Sequence, residues 1–194
     1  MMNNNIDLLK KTCEIWKKSL TNEEKEAIKI YSDDSKDINS YLLENKTDDP
    51  EIEQLIETID SALLKCESPC DLWITRIETF PKSELKIRLD SYTKSKMIKY
   101  PNFVSTSIKP NWEKEEKNLN FDTKKIQIII KAKINKGTNC GYLDKDLSVF
   151  PSEKEILVLR NLTLFIKKID YIEQHNKIEI IGILDYMKGG NYEK

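Results

Sequence analysis

The sequence predicts an α+β fold, with a helical part in residues 1–67 and a β-rich core in 68–194, read as one domain. Three observations predict it. Apolar residues recur at helical spacing as far as Leu64, alternating and β-branched runs dominate after Ser68-Pro69, and the two kinds of segment do not alternate along the chain. Helices first and strands after indicate α+β rather than a parallel βαβ arrangement.

Each element has its own signal. Ile6, Leu9, Cys13 and Trp16 form one apolar stripe, with Lys10, Lys11, Lys17 and Lys18 on other faces. Thr21-Asn22-Glu23-Glu24 has the form of a capping box, and Ala27, Ile28 and Tyr31 supply the stripe behind it. A short helix is expected over 37–43, and after the polar loop 45–50 another runs through Ile52, Leu55, Ile56, Ile59, Leu63 and Leu64. Strands are expected at 72–77, 103–108, 125–134, 156–160, 164–169 and 177–184, with one helix over 85–94 between them. In the 125–134 strand, Ile126, Ile128, Ile130, Ala132 and Ile134 fall on one face. Residues 111–123 and 135–152 are the long connections, a common place for function.

Composition removes several function classes. The formal net charge of −1 does not suit a general nucleic-acid binder. Residues 1–60 hold eight Lys/Arg and fifteen Asp/Glu, which leaves the rest of the chain basic by about +6 and compatible with an anionic ligand such as a dinucleotide. Cys13, Cys66, Cys70 and Cys140, with the single His175, do not make a zinc pattern, so no metal is expected. Cys66 and Cys70 are close enough in sequence for a disulfide, though a reduced pair is the expectation in a chain of this size. No apolar run reaches the length of a membrane span, and residues 1–18 lack the uncharged core of a secretory signal.

Three pieces carry chemistry. Arg76 lies within the apolar strand Trp73-Ile74-Thr75-Arg76-Ile77, where a guanidinium is costly unless it meets an anion. Ser105-Thr106-Ser107 follow Tyr100-Pro101-Asn102-Phe103-Val104, and alternation sends Ser105 and Ser107 one way and Thr106 the other. Glu153 and Glu155 stand two apart in Phe150-Pro151-Ser152-Glu153-Lys154-Glu155, and in an extended chain they share a side. Paired carboxylates raise one another's pKa and can divide anchoring from proton transfer. Taken singly, the pieces also read as an outward arginine, a Ser/Thr-rich strand and a charged strand edge.

In chain order, an arginine, a Ser-Thr-Ser strand and a Glu-x-Glu resemble the R-S-E signature of ADP-ribosyltransferase exoenzymes, in particular the bacterial branch that includes the actin-modifying catalytic components of binary toxins. The resemblance runs from about Leu20 to Ile183 and takes in Leu20-Thr21-Asn22-Glu23-Glu24, Ile38-Asn39-Ser40-Tyr41-Leu42, Ile59-Asp60-Ser61-Ala62-Leu63-Leu64-Lys65 and Cys140-Gly141-Tyr142-Leu143. It implies N-terminal helices followed by a mixed and antiparallel two-sheet β-sandwich core. It implies NAD as co-substrate, a protein as acceptor with actin the first guess, a separate translocation component as a further partner, and secretion or delivery into a host cell. Without a secretory signal in residues 1–18, a cytoplasmic location in the producer is the alternative.

The same resemblance distributes roles. Arg76 would bind the NAD phosphates, Ser105 would fix Glu155, and Glu155 would hold the ribose 2′-hydroxyl beside the bond to be cleaved. Asn102, Ser105, Thr106 and Ser107 would complete the cofactor site. Glu153 would face the acceptor: a carboxylate there goes with arginine acceptors, a glutamine with asparagine. Phe150 would touch the target protein. Trp112 and Phe121 are both candidates to cover the nicotinamide. Two departures from the pattern matter: Ile77 follows Arg76 where a small or a second basic residue is common, which leaves phosphate binding to one arginine, and residues 108–152 contain no arginine, so that a lysine stands in for the cofactor contact expected there or the contact is absent. The alternatives to a transferase are an NAD glycohydrolase and a catalytically silent docking copy of the fold.

Overall fold

The structure, a computed structural model, describes residues 2–108, 124–173 and 176–186. Trp112, Phe121 and His175 lie outside the described residues.

Four helices open the chain: α1 (Met2–Ser19), α2 (Asn22–Asp33), α3 (Lys36–Glu44) and α4 (Pro50–Leu64). Helix α1 buries Leu9, Cys13, Trp16 and the following Leu20, which is the stripe expected from the spacing. The capping box at the start of α2 forms in full: the Glu24 amide donates to Thr21 Oγ1 at 3.1 Å and the Thr21 amide donates to Glu24 Oε2 at 2.9 Å. The same Glu24 carboxylate accepts from Lys65 Nζ at 2.6 Å and Ser61 Oγ at 2.8 Å, so this buried charge is paired and ties α2 to the end of α4. Helix α4 starts from an Asp49 side chain that caps the Glu51 and Ile52 amides, with Pro50 in the first turn.

The β part is one mixed sheet in the order β2-β7-β8-β4-β1-β3-β6-β5. Its strands are β1 (Leu72–Pro81), β2 (Met97–Tyr100), β3 (Val104–Ser107), β4 (Lys125–Ile134), β5 (Cys140–Tyr142), β6 (Glu155–Val158), β7 (Leu162–Ile172) and β8 (Lys177–Asp185), with α5 (Leu85–Ser95) between β1 and β2. Strands β4 and β8 run parallel and the remaining pairs antiparallel. The group β2-β7-β8-β4-β1 joins the group β3-β6-β5 through the β1–β3 pairing, registered at Thr75 and Ser107. The expected α+β class with N-terminal helices is therefore what the chain adopts, and the two sheets expected of its core are joined into one mixed sheet by the β1–β3 pairing. The expected apolar face of β4 is buried at all five positions.

Helix α1 covers the β5 end of the sheet. The Trp16 ring lies so close to Gly141 that a Cβ there would sit 2.2 Å from a ring carbon, and its indole N–H donates to the Ala62 carbonyl at 2.7 Å. Lys17 reaches the Asp144 and Asp146 carboxylates of the loop that follows. All four cysteines are free thiols. The nearest sulfur partner of Cys66 is Cys13, at 3.7 Å, rather than Cys70. Among the described residues no helix is long and apolar enough to cross a membrane.

Candidate active site

Sheet order explains why residues far apart in sequence meet. Strands β1, β3 and β6 are neighbours, and each carries one of the three motifs. Arg76 is on β1, Ser105 on β3, and Glu155 is the first residue of β6, with Ser107 its partner across the ladder.

The contacts are direct. Ser105 Oγ donates to Glu155 Oε1 at 2.6 Å. Arg76 Nη1 donates to the Ser105 carbonyl oxygen at 2.8 Å, and Arg76 Nε donates to Glu78 Oε1 at 2.7 Å. The guanidinium also lies 5.9 Å from the centre of the Tyr100 ring. Arg76 Nη2 has no partner among the described residues. Arg76 is thus neither the costly unpaired charge nor the outward surface arginine that the strand alone allows: it is half-buried and held by a carboxylate, a carbonyl and an aromatic face.

The other two β3 hydroxyls hold the Glu-x-Glu backbone. Thr106 Oγ1 donates to the Ile156 carbonyl at 2.9 Å and Ser107 Oγ to the Glu153 carbonyl at 2.6 Å. Both residues are buried. Asn102 is buried as well, and its amide donates to Asn39 Oδ1 at 3.3 Å and to the Phe103 carbonyl at 3.0 Å. Phe150 stands 47% exposed beside Val149 at 49%, a pair of apolar side chains turned to solvent next to Glu153.

One local expectation needs correction. Glu153 and Glu155 do not share a side through extended chain. Pro151–Glu153 form a 3-10 turn, and Lys154 takes the left-handed conformation at φ 51° before β6 begins. Pro151, at the first position of the turn, favours a turn over a strand there. The two carboxylates still feel each other, because Glu153 raises the pKa of Glu155.

The electrostatics follow from burial. Glu155 is buried, and desolvation pushes its pKa above the ordinary value of 4.5. The Ser105 hydroxyl opposes this, Glu153 adds to it, and Ser32 and Arg76 oppose it. For Arg76, burial alone favours loss of charge, but Glu78, Tyr100 and Tyr31 reverse the balance and its pKa is raised. Tyr31, buried under the site, is pushed up to about 12, mainly by desolvation.

Several residues here escaped the sequence reading. Glu78 is two along from Arg76 on the same strand face, a spacing that could have identified it. Tyr31 and Asn39 bond to each other at 3.1 Å, and the Tyr31 hydroxyl donates to the Phe103 carbonyl at 3.3 Å, fixing the approach to β3 from the helical side. Ser32 is within 3.0 Å of Ser148 Oγ and accepts from the Val149 amide at 3.2 Å, holding the loop before Glu153. Among the described residues no group of three His, Cys, Asp or Glu is placed to hold a metal ion.

A family model described as ADP-ribosyltransferase exoenzyme matches residues 9–185. Among solved structures the chain is similar to Plx2a, an ADP-ribosyltransferase toxin from Paenibacillus larvae, with 23% identity, 94% of this chain and 96% of that one covered, and a TM-score of 0.73. It is similar to an ADP-ribosyltransferase from Clostridium botulinum, with 22% identity, coverage of 96% and 98%, and a TM-score of 0.73. It is also similar to BECa, an ADP-ribosylating toxin of a binary enterotoxin of C. perfringens solved with NADH, with 21% identity and a TM-score of 0.68; here 93% of this chain matches 48% of that one. At these identities the structural likeness speaks for the fold. No curated protein matches the chain in a sequence search. With the family model spanning nearly all of the sequence, the chain belongs to the ADP-ribosyltransferase exoenzyme family.

Proposed function

We propose that the protein is a mono-ADP-ribosyltransferase that takes NAD as co-substrate and modifies an arginine of a target protein. The observation that carries this reading is the Ser105–Glu155 hydrogen bond of 2.6 Å with the Arg76 guanidinium on the Ser105 carbonyl, which gathers a cation, a hydroxyl and a carboxylate at one place.

The chemistry asks for that set. Cleavage breaks the bond between the ribose C1′ and the nicotinamide nitrogen; nicotinamide leaves neutral and positive charge develops on the ribose. Glu155 faces that charge and accepts from the ribose 2′-hydroxyl, and Ser105 keeps its carboxylate oriented. Arg76 binds a phosphate through the donors that Glu78 and Ser105 leave open. Thr106 and Ser107 serve the site by fixing the backbone of residues 153–156, and Asn102 supports it from the α3 side. Glu153 pairs with the incoming guanidinium and takes its proton as the nitrogen bonds to C1′, so one proton is released per transfer. Phe150, with Val149 beside it, meets the target surface. Actin is the first target to test, with delivery by a separate component as the accompanying proposal.

The test is incubation of the purified chain with labelled NAD and host-cell lysate, followed by mass spectrometry of the modified residue. An ADP-ribosylated arginine that disappears with Glu155→Gln is the expected result. Equal labelling by parent and Glu155→Gln, or modification of a different residue type, would refute the assignment. Nicotinamide release that no added protein can redirect into transfer would make the chain a glycohydrolase instead.

A further inference from the structure

The chain has three arginines, Arg76, Arg88 and Arg160. Arg160 is committed elsewhere: the Asp60 carboxylate accepts from its Nε and Nη2 at 2.6 to 3.1 Å. The other two line one cleft of about 430 Å³, walled by β1, β2 and α5. Lys99 also lines it, against the single carboxylate of Glu78, so the walls are net cationic in a chain of net charge −1. Its volume falls in the range of small-molecule sites.

Arg76 and Arg88 present themselves to this cleft differently. Arg76 sits at the edge nearest Ser105 and Glu155. Arg88, from α5, lies over the Phe80 ring, its guanidinium carbon 4.7 Å from the ring centre and its Nη1 3.4 Å from the Tyr92 hydroxyl. Its charged partner is Glu84, one turn back, at 2.8 Å, and both side chains are more than a third exposed. An exposed pair of this kind contributes little to stability, so the guanidinium is readily exchanged to a better anion. The contacts with Phe80 and Tyr92 already place the guanidinium, which reduces the ordering needed to bind phosphate oxygens.

Arg76 lines this cleft and also donates to the carbonyl of Ser105, the residue bonded to Glu155, so the cleft and the Ser105–Glu155 pair share one guanidinium. We propose that the cleft takes the adenosine-diphosphate half of NAD and that Arg88 is its second phosphate-binding guanidinium. The proposal rests on the NAD reading above. It supplies a second arginine, which the position after Arg76 and residues 108–152 lack.

Titration calorimetry of the full chain with NAD, ADP-ribose and nicotinamide mononucleotide tests it. Arg88→Gln is expected to weaken NAD and ADP-ribose about 10-fold or more, the loss of one charge-assisted contact, while leaving the mononucleotide within about twofold. Arg76→Gln should weaken all three. Arg88→Lys should fall between parent and Arg88→Gln, and Glu84→Gln, which frees Arg88 from its helical partner, should bind NAD at least as well as the parent. Ile87→Ala, an exposed neighbour on α5, is the control. A parent that binds NAD while Arg88→Gln binds NAD and ADP-ribose equally well overturns the role of Arg88 and leaves the NAD reading standing. Weaker binding by Glu84→Gln, or an equal loss for the mononucleotide in Arg88→Gln, overturns it too, because either points to a structural effect. A parent that binds none of the three ligands sinks both readings. Thermal melts of each variant identify any that fails to fold; in that event the Glu84→Gln result decides.

Discussion

Removing the Ser105 hydroxyl isolates the part of the site on which the proposed chemistry turns. Ser105→Ala deletes one donor to a buried carboxylate, a 2.6 Å bond to Glu155. Hydrogen bonds to charged groups contribute about 1.5–3 kcal/mol, which corresponds to roughly a 10- to 150-fold fall in kcat/KM if the bond is kept through the transition state. The same change has a pH signature. The Ser105 hydroxyl holds the Glu155 pKa down against desolvation, so its loss lets that pKa rise further above 4.5. If Glu155 works as a carboxylate, the acid limb of the pH–rate profile moves to higher pH in the variant. Initial rates of nicotinamide release between pH 4.5 and 8, at saturating and sub-saturating NAD, measure both effects. An unchanged acid limb, or one that moves to lower pH, would show that Ser105 does not act through Glu155, whatever the size of the rate loss.

Glu155→Gln is expected to lower turnover roughly 100- to 1,000-fold, the loss of a preorganised electrostatic group, while raising the melting temperature at pH 7–8. The sign follows from burial: the folded-state pKa of Glu155 is raised, so its contribution to stability is present below pH 4.5 and lost as pH rises through the folded value. Melts of parent and variant should converge near pH 4, and a variant less stable than the parent at pH 8 would contradict this. Glu153→Gln is expected to abolish transfer to arginine or agmatine while sparing NAD hydrolysis. It should also shift the acid limb to lower pH, because Glu153 raises the Glu155 pKa; parallel loss of both activities would speak against an acceptor-side role. Gly141→Ala places a Cβ 2.2 Å from the Trp16 ring and is expected to cost about 1–3 kcal/mol through overpacking, or roughly 2–12 °C in Tm. Calorimetry showing no change would mean that α1 shifts on the sheet without penalty.

What the sequence disclosed, and what it withheld, divides along the range of the interactions involved. The helices of the first part and the β4 face were legible because their signals are local: a stripe repeated over several turns, a capping box within four residues, five apolar side chains at every second position. Strands β2 and β5 were not, since Met97–Tyr100 and Cys140–Tyr142 are too short to show a period and form because β7 and β6 offer them edges. The turn at Lys154 carried no glycine to announce a positive φ, so the Glu-x-Glu read as extended chain. Arg88 was hidden for another reason. Beside Glu84 at i,i+4 it has the pattern of an ordinary helix-surface ion pair, and only the packing of α5 against Phe80 turns it toward the cleft that Arg76 occupies.

The placement of the three motifs suggests why the helical part belongs to the site rather than merely preceding it. Glu155 is buried and its desolvation is unfavourable to charge, so the groups that oppose this shift and aim the side chain must themselves be held. Ser105 is held by the β3 backbone, and the approach to β3 at Phe103 is held by Tyr31 of α2 through its carbonyl and by an edge-on ring contact at 5.5 Å. The loop before Glu153 is held from the same helix by Ser32, through Ser148 and Val149. Consecutive residues of α2 therefore brace the hydroxyl strand on one side and the carboxylate loop on the other. Relaxing α2 would release both at once, so under the proposed function the fold of residues 22–33 is a condition for the reaction even though none of its side chains is assigned to the reacting atoms.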